Sequence, residues 1–151
     1  MGDIAPVNYF DPFRLTSDLN DAEIKYVREA ELQHGRVAML SFVGLVGLDL
    51  FQDKPAINFL YDNQWEVQLP YWFGVMCFEF SRMGAGWKNP FLKGENYFKL
   101  EDHYQPGNVL KVDPSKISND RYNKELSNGR LAMLGCLGYI SHELLFQTQI
   151  F

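Results

Sequence analysis

Apolar positions along the chain gather into three segments separated by polar stretches that contain proline. The first runs from about Asp21 to Leu50, the second from about Pro70 to Gly84, and the third from about Asp120 to Phe146. Each reads as a helix. Asp18, Asn20 and Asp21 are candidate caps for the first, and Pro55 lies beyond its end. At about 1.5 Å per residue such a first helix spans roughly 45 Å, longer than a hydrocarbon core of about 30 Å. It could cross a bilayer only with a large tilt and a protruding end. Hydropathy does not decide for a membrane, however. The uncharged run 37–48 has 12 residues and the run 131–141 has 11. Runs of about 10–14 mark a buried core helix more often than a span. The remainder reads as loop, punctuated by Asp11-Pro12, Asn89-Pro90, Pro106-Gly107 and Asp113-Pro114. Gly84-Ala85-Gly86 reads as the end of the second helix. The polar stretch 88–118 is expected to lie on a membrane surface and to link the second helix to the third.

An internal repeat changes this picture. Glu31-Leu32-Gln33-His34-Gly35-Arg36-Val37-Ala38-Met39-Leu40 matches Glu125-Leu126-Ser127-Asn128-Gly129-Arg130-Leu131-Ala132-Met133-Leu134 at seven of ten positions, and Gly44 and Gly138 continue the register. A repeat within one chain implies related roles and a pseudo-symmetry axis. Glu31 and His34 share a helix face, whereas Arg36 sits about 140° round from Glu31 and is badly placed to pair with it. With three crossings, the first and third helices run in the same direction. A two-fold axis along the membrane normal then sets Glu31 beside Arg130 and Glu125 beside Arg36. An isolated charge at the centre of a membrane helix costs about 2.5–3.5 kcal/mol on insertion scales, so crossed pairing is the economical arrangement. Gly44, Gly47, Gly135 and Gly138 are expected to let the two backbones approach.

Composition adds exclusions. Aromatic residues make up 15% of the 151 residues, which suits the packing of large flat ligands or lipid. The net charge of -5, with no basic run, speaks against nucleic acid as a partner. Cys77 and Cys136 lie in separate apolar stretches with no C-x-x-C, and both read as small buried hydrophobes. The opening MGDIAPVNYF carries neither an apolar signal core nor an Arg/Ser-rich transit segment, so the chain reads as a mature or trimmed form. No phosphate loop, nucleophile elbow or dinucleotide fingerprint is present, and no enzymatic activity is expected.

The repeated residues suit a hard metal that already has a planar donor set. Magnesium in a tetrapyrrole has four ring nitrogens and takes an axial ligand, for which carboxylate, imidazole and amide oxygen all serve. A carboxylate that binds magnesium through one oxygen and a guanidinium through the other stays neutral overall in lipid. Glu-x-x-His also occurs in di-iron four-helix bundles, but that fold needs two such motifs and two further Glu on other helices. Here the second copy reads Glu125-x-x-Asn128 and only three helices are expected.

At this point Glu-x-x-His-x-Arg-x-Ala-Met and Glu-x-x-Asn-x-Arg-x-Ala-Met resemble the signature of the light-harvesting chlorophyll-binding superfamily. Glu79-x-x-Arg82 is similar to its middle-helix motif, and Asp11-Pro12 and Asp113-Pro114 are similar to its carotenoid-holding loops. The resemblance covers nearly the whole chain. It implies an all-α membrane protein over 1–151, a single domain with three transmembrane helices. The first and third would cross as a pseudo-two-fold pair, with the second alongside. It implies chlorophyll ligands at Glu31, His34, Glu79, Glu125 and Asn128, crossed partners Arg36 and Arg130, and Arg82 neutralising Glu79. His142 stands where the family commonly has Gln and is a competent substitute ligand; His103 reads as a surface residue. Carotenoids would contact Asp11, Pro12, Met39, Gly44, Asp113, Pro114, Met133 and Gly138, in grooves also lined by Val37, Ala38, Leu131 and Ala132.

The family further implies chlorophyll a and carotenoid as cofactors, with lipid. It implies photosystem core subunits, neighbouring antenna proteins and thylakoid lipids as partners, and a multi-pass location in the plastid thylakoid membrane. Excitation transfer to a photosystem is the expected function. Two departures from the green type matter. Tyr71 replaces a Gln that often ligates pigment, and the chain stops at Phe151 without an amphipathic terminal helix. EAELQHGRVAML is closer to red-lineage proteins that bind chlorophyll c and fucoxanthin-, diadinoxanthin- or peridinin-type carotenoids. The rivals are a photoprotective, energy-dissipating relative and, more remotely, a soluble metal-binding helical bundle.

Overall fold

The computed structural model describes residues 11–89, 91, 99–113 and 118–150. The described residues form four α-helices: α1 (Asp21–Phe51), α2 (Phe59–Asp62), α3 (Trp65–Gly86) and α4 (Asn119–Phe146). A single 3-10 turn at Ala56–Asn58 precedes α2. Among the described residues the only β pairing is the isolated bridge Trp87–Leu100. The helical class and the two long repeated helices agree with the sequence pattern. Asn20 caps α1 reciprocally: its Oδ1 accepts from the Glu23 N–H at 2.9 Å, while Glu23 Oε2 accepts from the Asn20 N–H at 2.9 Å.

Two expectations need correction. The segment after α1, read as loop, holds the 3-10 turn and α2. The middle helix begins at Trp65, not near Pro70, which lies inside it. Proline fixes a helical φ and lacks only its own N–H, so the helix continues with one bond missing, the one that would reach the exposed Glu66. Gln64 supplies the start, its carbonyl accepting from the Val67 N–H at 3.0 Å.

The chain divides into two compact units. The second holds His34–Phe78 and the chain from Asn128 onward. In it α1 and α4 meet backbone to backbone at Gly35 and Gly129, equivalent positions of the repeat. A Cβ on Gly35 would come within 3.0 Å of the Gly129 Cα, and one on Gly129 within 2.9 Å of the Gly35 Cα. The glycines expected at the contact are not there: Gly44, Gly47 and Gly138 face open space, and Gly135 meets only the Phe42 ring, at 3.1 Å. The reason is divergence: beyond Gly35 and Gly129 side chains fill the space between the helices. Cys136 Sγ lies 3.3 Å from the Ala38 carbonyl, and Phe42 packs edge-on against Tyr139. Ala38 is thus buried in the helix contact, not in a groove.

The repeat extends further than the motif suggests. Asp49 and Glu143 are equivalent positions, as are Ala56 and Ile150, at the same offset as the two glycines. Glu143, wholly buried, accepts from the Ala56 and Ile57 N–H groups at 2.9 and 3.0 Å. Asp49 accepts from the Ile150 N–H at 2.9 Å and from the Tyr139 hydroxyl at 2.5 Å. Each helix therefore ends on a carboxylate that holds the segment following the other helix. Gln149 reinforces this, donating to the carbonyls of Asp49, Gln52 and Lys54.

The other unit holds the chain up to Gln33 and Glu79–Ser127. Its core is Leu32 and Leu126, equivalent repeat positions, with Leu100 and Tyr104 from the α3–α4 connection. The connection docks on the end of α3 through Lys88 N–H to the Lys99 carbonyl and Glu101 N–H to the Gly86 carbonyl, both 2.9 Å. Among the described helices only α1 is long and apolar enough to cross a membrane by that criterion alone, and 17% of that window is buried inside the protein. Of the cysteines, Cys136 is buried as expected, but Cys77 is exposed on α3.

The glycine contact predicts a sharp asymmetry between substitutions. Gly129→Ala has only backbone to push against and should lose about 1–3 kcal/mol of stability, whereas Gly47→Ala, in open space, should be neutral or slightly stabilising. Thermal melts followed by circular dichroism in detergent would check the difference.

Candidate pigment-ligand site

The densest polar cluster joins α1, α3 and the α3–α4 connection within one unit. Glu79 and Arg82 are one turn apart on α3. Arg82 Nε and Nη2 donate to Glu79 Oε2 at 3.0 and 2.8 Å, an ion pair within α3. Arg82 also donates through Nη1 to Glu29 Oε1 at 3.1 Å and lies over the Trp87 ring at 5.9 Å. Glu29 Oε2 accepts from the Gly107 N–H at 2.6 Å and from the Tyr104 hydroxyl at 3.3 Å. Gly107 reaches it from a turn with φ 83, a conformation that favours glycine. Gln33 Nε2 donates to Glu79 Oε1 at 3.0 Å.

Burial sorts these charges. Glu29 is 2% exposed and the Arg82 side chain 12%, whereas the Glu79 side chain is 37% exposed. Two carboxylates share one guanidinium. Glu29 is closed in; Glu79 is the carboxylate that a further cation can reach. Each carboxylate oxygen has two lone pairs. Oε1 takes a hydrogen bond from Gln33 and retains capacity for a metal. The donor set thus fits the magnesium of a tetrapyrrole, a group neutral overall, which would take the remaining lone-pair capacity of Glu79.

The repeated ligand positions have matching surroundings. His34 and Asn128 are both exposed, Glu31 and Glu125 both half-buried, and Arg36 and Arg130 both half-buried. Around His34 and Asn128 the neighbouring turn is apolar and outward-facing: Val37 and Leu40 on α1, Leu131 and Leu134 on α4. An imidazole and an amide amid exposed apolar surface would suit a flat ring laid against the helix. Glu31 also takes Arg28 Nη1 at 2.7 Å, a partner from its own helix that the crossed-pair scheme does not include. His142 packs against Phe146, and its Nδ1 is buried with no hydrogen-bond partner. Ligation through Nε2 would leave a proton on Nδ1 unsatisfied, so this position binds metal at a cost.

Among the expected carotenoid contacts, Gly44 and Gly138 border open space and Met39 and Met133 are half-buried. The Asp11 carboxylate is engaged locally, accepting from the Leu15 and Thr16 N–H groups and the Thr16 hydroxyl. Pro12 and Asp113 are exposed, and Pro114 lies outside the described residues. His103 is exposed, as expected; beside it, Lys88 at 2.7 Å holds the Asp102 carboxyl below the usual carboxylate range.

Sequence reasoning missed Glu29, Gln33, Asp49 and Glu143. A signal existed for each. Glu29 and Gln33 share an α1 face at the i, i+4 spacing, and Asp49 and Glu143 are acids at equivalent repeat positions.

The chlorophyll a-b binding protein family model matches residues 1–144. The chain belongs to this family. The light-harvesting complex stress-related protein 1 of Chlamydomonas reinhardtii is 33% identical over 95% of this chain and 63% of its own length. The fucoxanthin-chlorophyll a-c binding protein of Isochrysis galbana is 36% identical over 89% of this chain and 71% of its own length. The caroteno-chlorophyll a-c-binding protein of Amphidinium carterae is 42% identical over 33% of this chain. The chain spans 63% of the length of the first of these relatives. Two of these relatives are named as chlorophyll a-c binding proteins, in agreement with the resemblance to red-lineage members.

Arg82 is the member of the cluster whose loss is expected to be most costly. Arg82→Leu leaves Glu29 buried and uncompensated, which should remove about 3–5 kcal/mol. Yield in membranes and melting in detergent would register the loss, and the double variant Arg82→Leu/Glu29→Leu should recover part of it.

Proposed function

We propose that this chain is a thylakoid antenna domain that holds chlorophylls and carotenoids and delivers excitation to a photosystem. The observation that carries the reading is the meeting of the two Glu-x-x-His/Asn-Gly-Arg copies at Gly35 and Gly129, in register, with His34 and Asn128 facing outward. α1, α3 and α4 are the three membrane crossings of this single pigment-binding domain. Bound pigments supply the chemistry, which is absorption and excitation transfer. The chain's residues fix their spacing, orientation and local polarity. Glu31, His34, Glu79, Glu125, Asn128 and His142 are the axial ligands of chlorophyll magnesium. The repeat symmetry supports pairing of Glu31 with Arg130 and Glu125 with Arg36. Met39, Gly44, Met133 and Gly138, with the loops at Asp11-Pro12 and Asp113-Pro114, border the carotenoids. The names of the Isochrysis and Amphidinium relatives support chlorophyll a and c with fucoxanthin- or peridinin-type carotenoid. The chloroplastic relatives support a multi-pass thylakoid location beside photosystem cores and other antenna subunits.

A photoprotective role is the second reading, favoured by the stress-related name of the Chlamydomonas relative. Fluorescence lifetime of the isolated pigment complex separates the two. An antenna should hold its excitation for nanoseconds at neutral pH, and a strongly quenched complex would reverse the order.

Pigment extraction and chromatography of the purified protein test the main reading. His34→Ala should remove about one chlorophyll, since one axial ligand holds one magnesium, and unchanged stoichiometry would strike His34 from the set. A colourless protein released by an alkaline wash would end the antenna reading.

A further inference from the structure

We propose that Gln33 is a positioning residue for the Glu79 pigment site, with Glu29 acting behind it through Arg82; this rests on the reading of Glu79 as a magnesium ligand. An Arg82–Glu79 pair within one helix leaves the carboxylate free to swing about its own stem. Gln33 removes that freedom. Its Nε2 holds Oε1 from α1 while Arg82 holds Oε2 from α3, so both ends of the carboxylate are tied to different helices. Glu29 fixes the far side of the guanidinium, and is itself tied to Tyr104 and Gly107. The plane of the carboxylate, and hence the approach direction of a metal to Oε1, is set by α1.

Two further observations point to a role beyond packing. Gln33 is 8% exposed, and its Oε1 is buried without a partner. The amide has given up its acceptor and kept its donor on Glu79, which packing alone would not select. The repeat also breaks where this interaction is made. At the positions equivalent to Glu29 and Gln33, α4 carries Asn123 and Ser127, and the Ser127 hydroxyl turns back to the Asn123 carbonyl of its own helix. The residues at the glycine contact are duplicated; those facing the unduplicated helix α3 are not.

The test uses the chain refolded with chlorophyll a and a thylakoid carotenoid extract, and reads low-temperature absorption and pigment stoichiometry. Glu79→Leu, which leaves no donor atom at this position, defines the band of the Glu79 chlorophyll as a difference spectrum against the unchanged chain. Gln33→Met keeps the side-chain length and removes the donor. Its difference spectrum should contain that same band, shifted or reduced at least twofold, with the other bands unchanged. Combined with Glu79→Leu it should add nothing, because the two changes act on one site. Should Gln33→Met fail to refold, Gln33→Ser, which borrows the residue of the second copy, carries the same expectation. A spectrum identical to that of the unchanged chain overturns the inference, as does a uniform loss across all bands in both variants. If Glu79→Leu itself loses no chlorophyll, the reading of Glu79 falls and the inference falls with it. A Glu79 loss without a Gln33 effect leaves that reading standing and removes only the inference.

Discussion

The contact between Gly35 and Gly129 sets the geometry on which the rest of the α1–α4 pairing depends. Two backbones meet with no side chain between them, so neither helix can rotate without driving a Cβ into the other. One residue of slippage on a helix turns every side chain by about 100°. Pinning equivalent glycines together therefore fixes the register of everything along both helices. Phe42 then falls against Tyr139, and the carboxylates Asp49 and Glu143 arrive where each can hold the segment that follows its counterpart's helix. The swapped hold is a consequence of the register: it needs both helices to end at matching depth.

Symmetry is kept where the duplicated helices meet each other and lost where one of them meets α3. Leu32 and Leu126 are both buried, His34 and Asn128 both exposed, Glu31 and Glu125 both half-buried. Glu29 and Gln33 have no chemical counterparts, because α3 has none. Glu29 would be costly alone in an apolar setting; a guanidinium, a backbone N–H and a hydroxyl, three donors in all, offset its charge. The contacts with α3 are thus organised by side-chain hydrogen bonds around Glu29, and the contacts between the repeated helices by close backbone approach together with the paired Asp49 and Glu143 holds.

The sequence made the helices legible because their apolar runs end in plain caps and breakers, and Asn20 with Glu23 is a local signal that needs no tertiary knowledge. The repeat disclosed which residues play paired roles. It did not disclose where the helices touch. Gly35 sits inside the repeated charged motif, between His34 and Arg36, where nothing local sets it apart from the glycines further along. Contact there follows from the crossing point, which depends on side-chain volumes over the whole interface. Pro70 is a similar case: a local rule makes it a helix start, while the Gln64 carbonyl, accepting from the Val67 N–H, already opens the helix. Glu29 and Gln33 were hidden because their partners lie on α3 and in the connection, far along the chain.

Side-chain packing within the protein is sparse among the described residues. The buried apolar residues are few, several of them small, while Leu40, Val43, Phe73, Leu131, Leu134 and Leu137 are more than 60% exposed. A protein built this way gets little of its uniqueness from a packed interior. Polar holds at the ends, a glycine contact and the Glu29 cluster supply geometric definition; what lies over the outward apolar faces must supply much of the remaining stability. For a family that binds chlorophyll, this couples folding to loading: any ligand that binds only the folded chain adds stability by mass action. The buried carboxylates Glu29 and Glu143 hold backbone N–H groups from distant parts of the chain, and so fix local geometry before any ligand is bound.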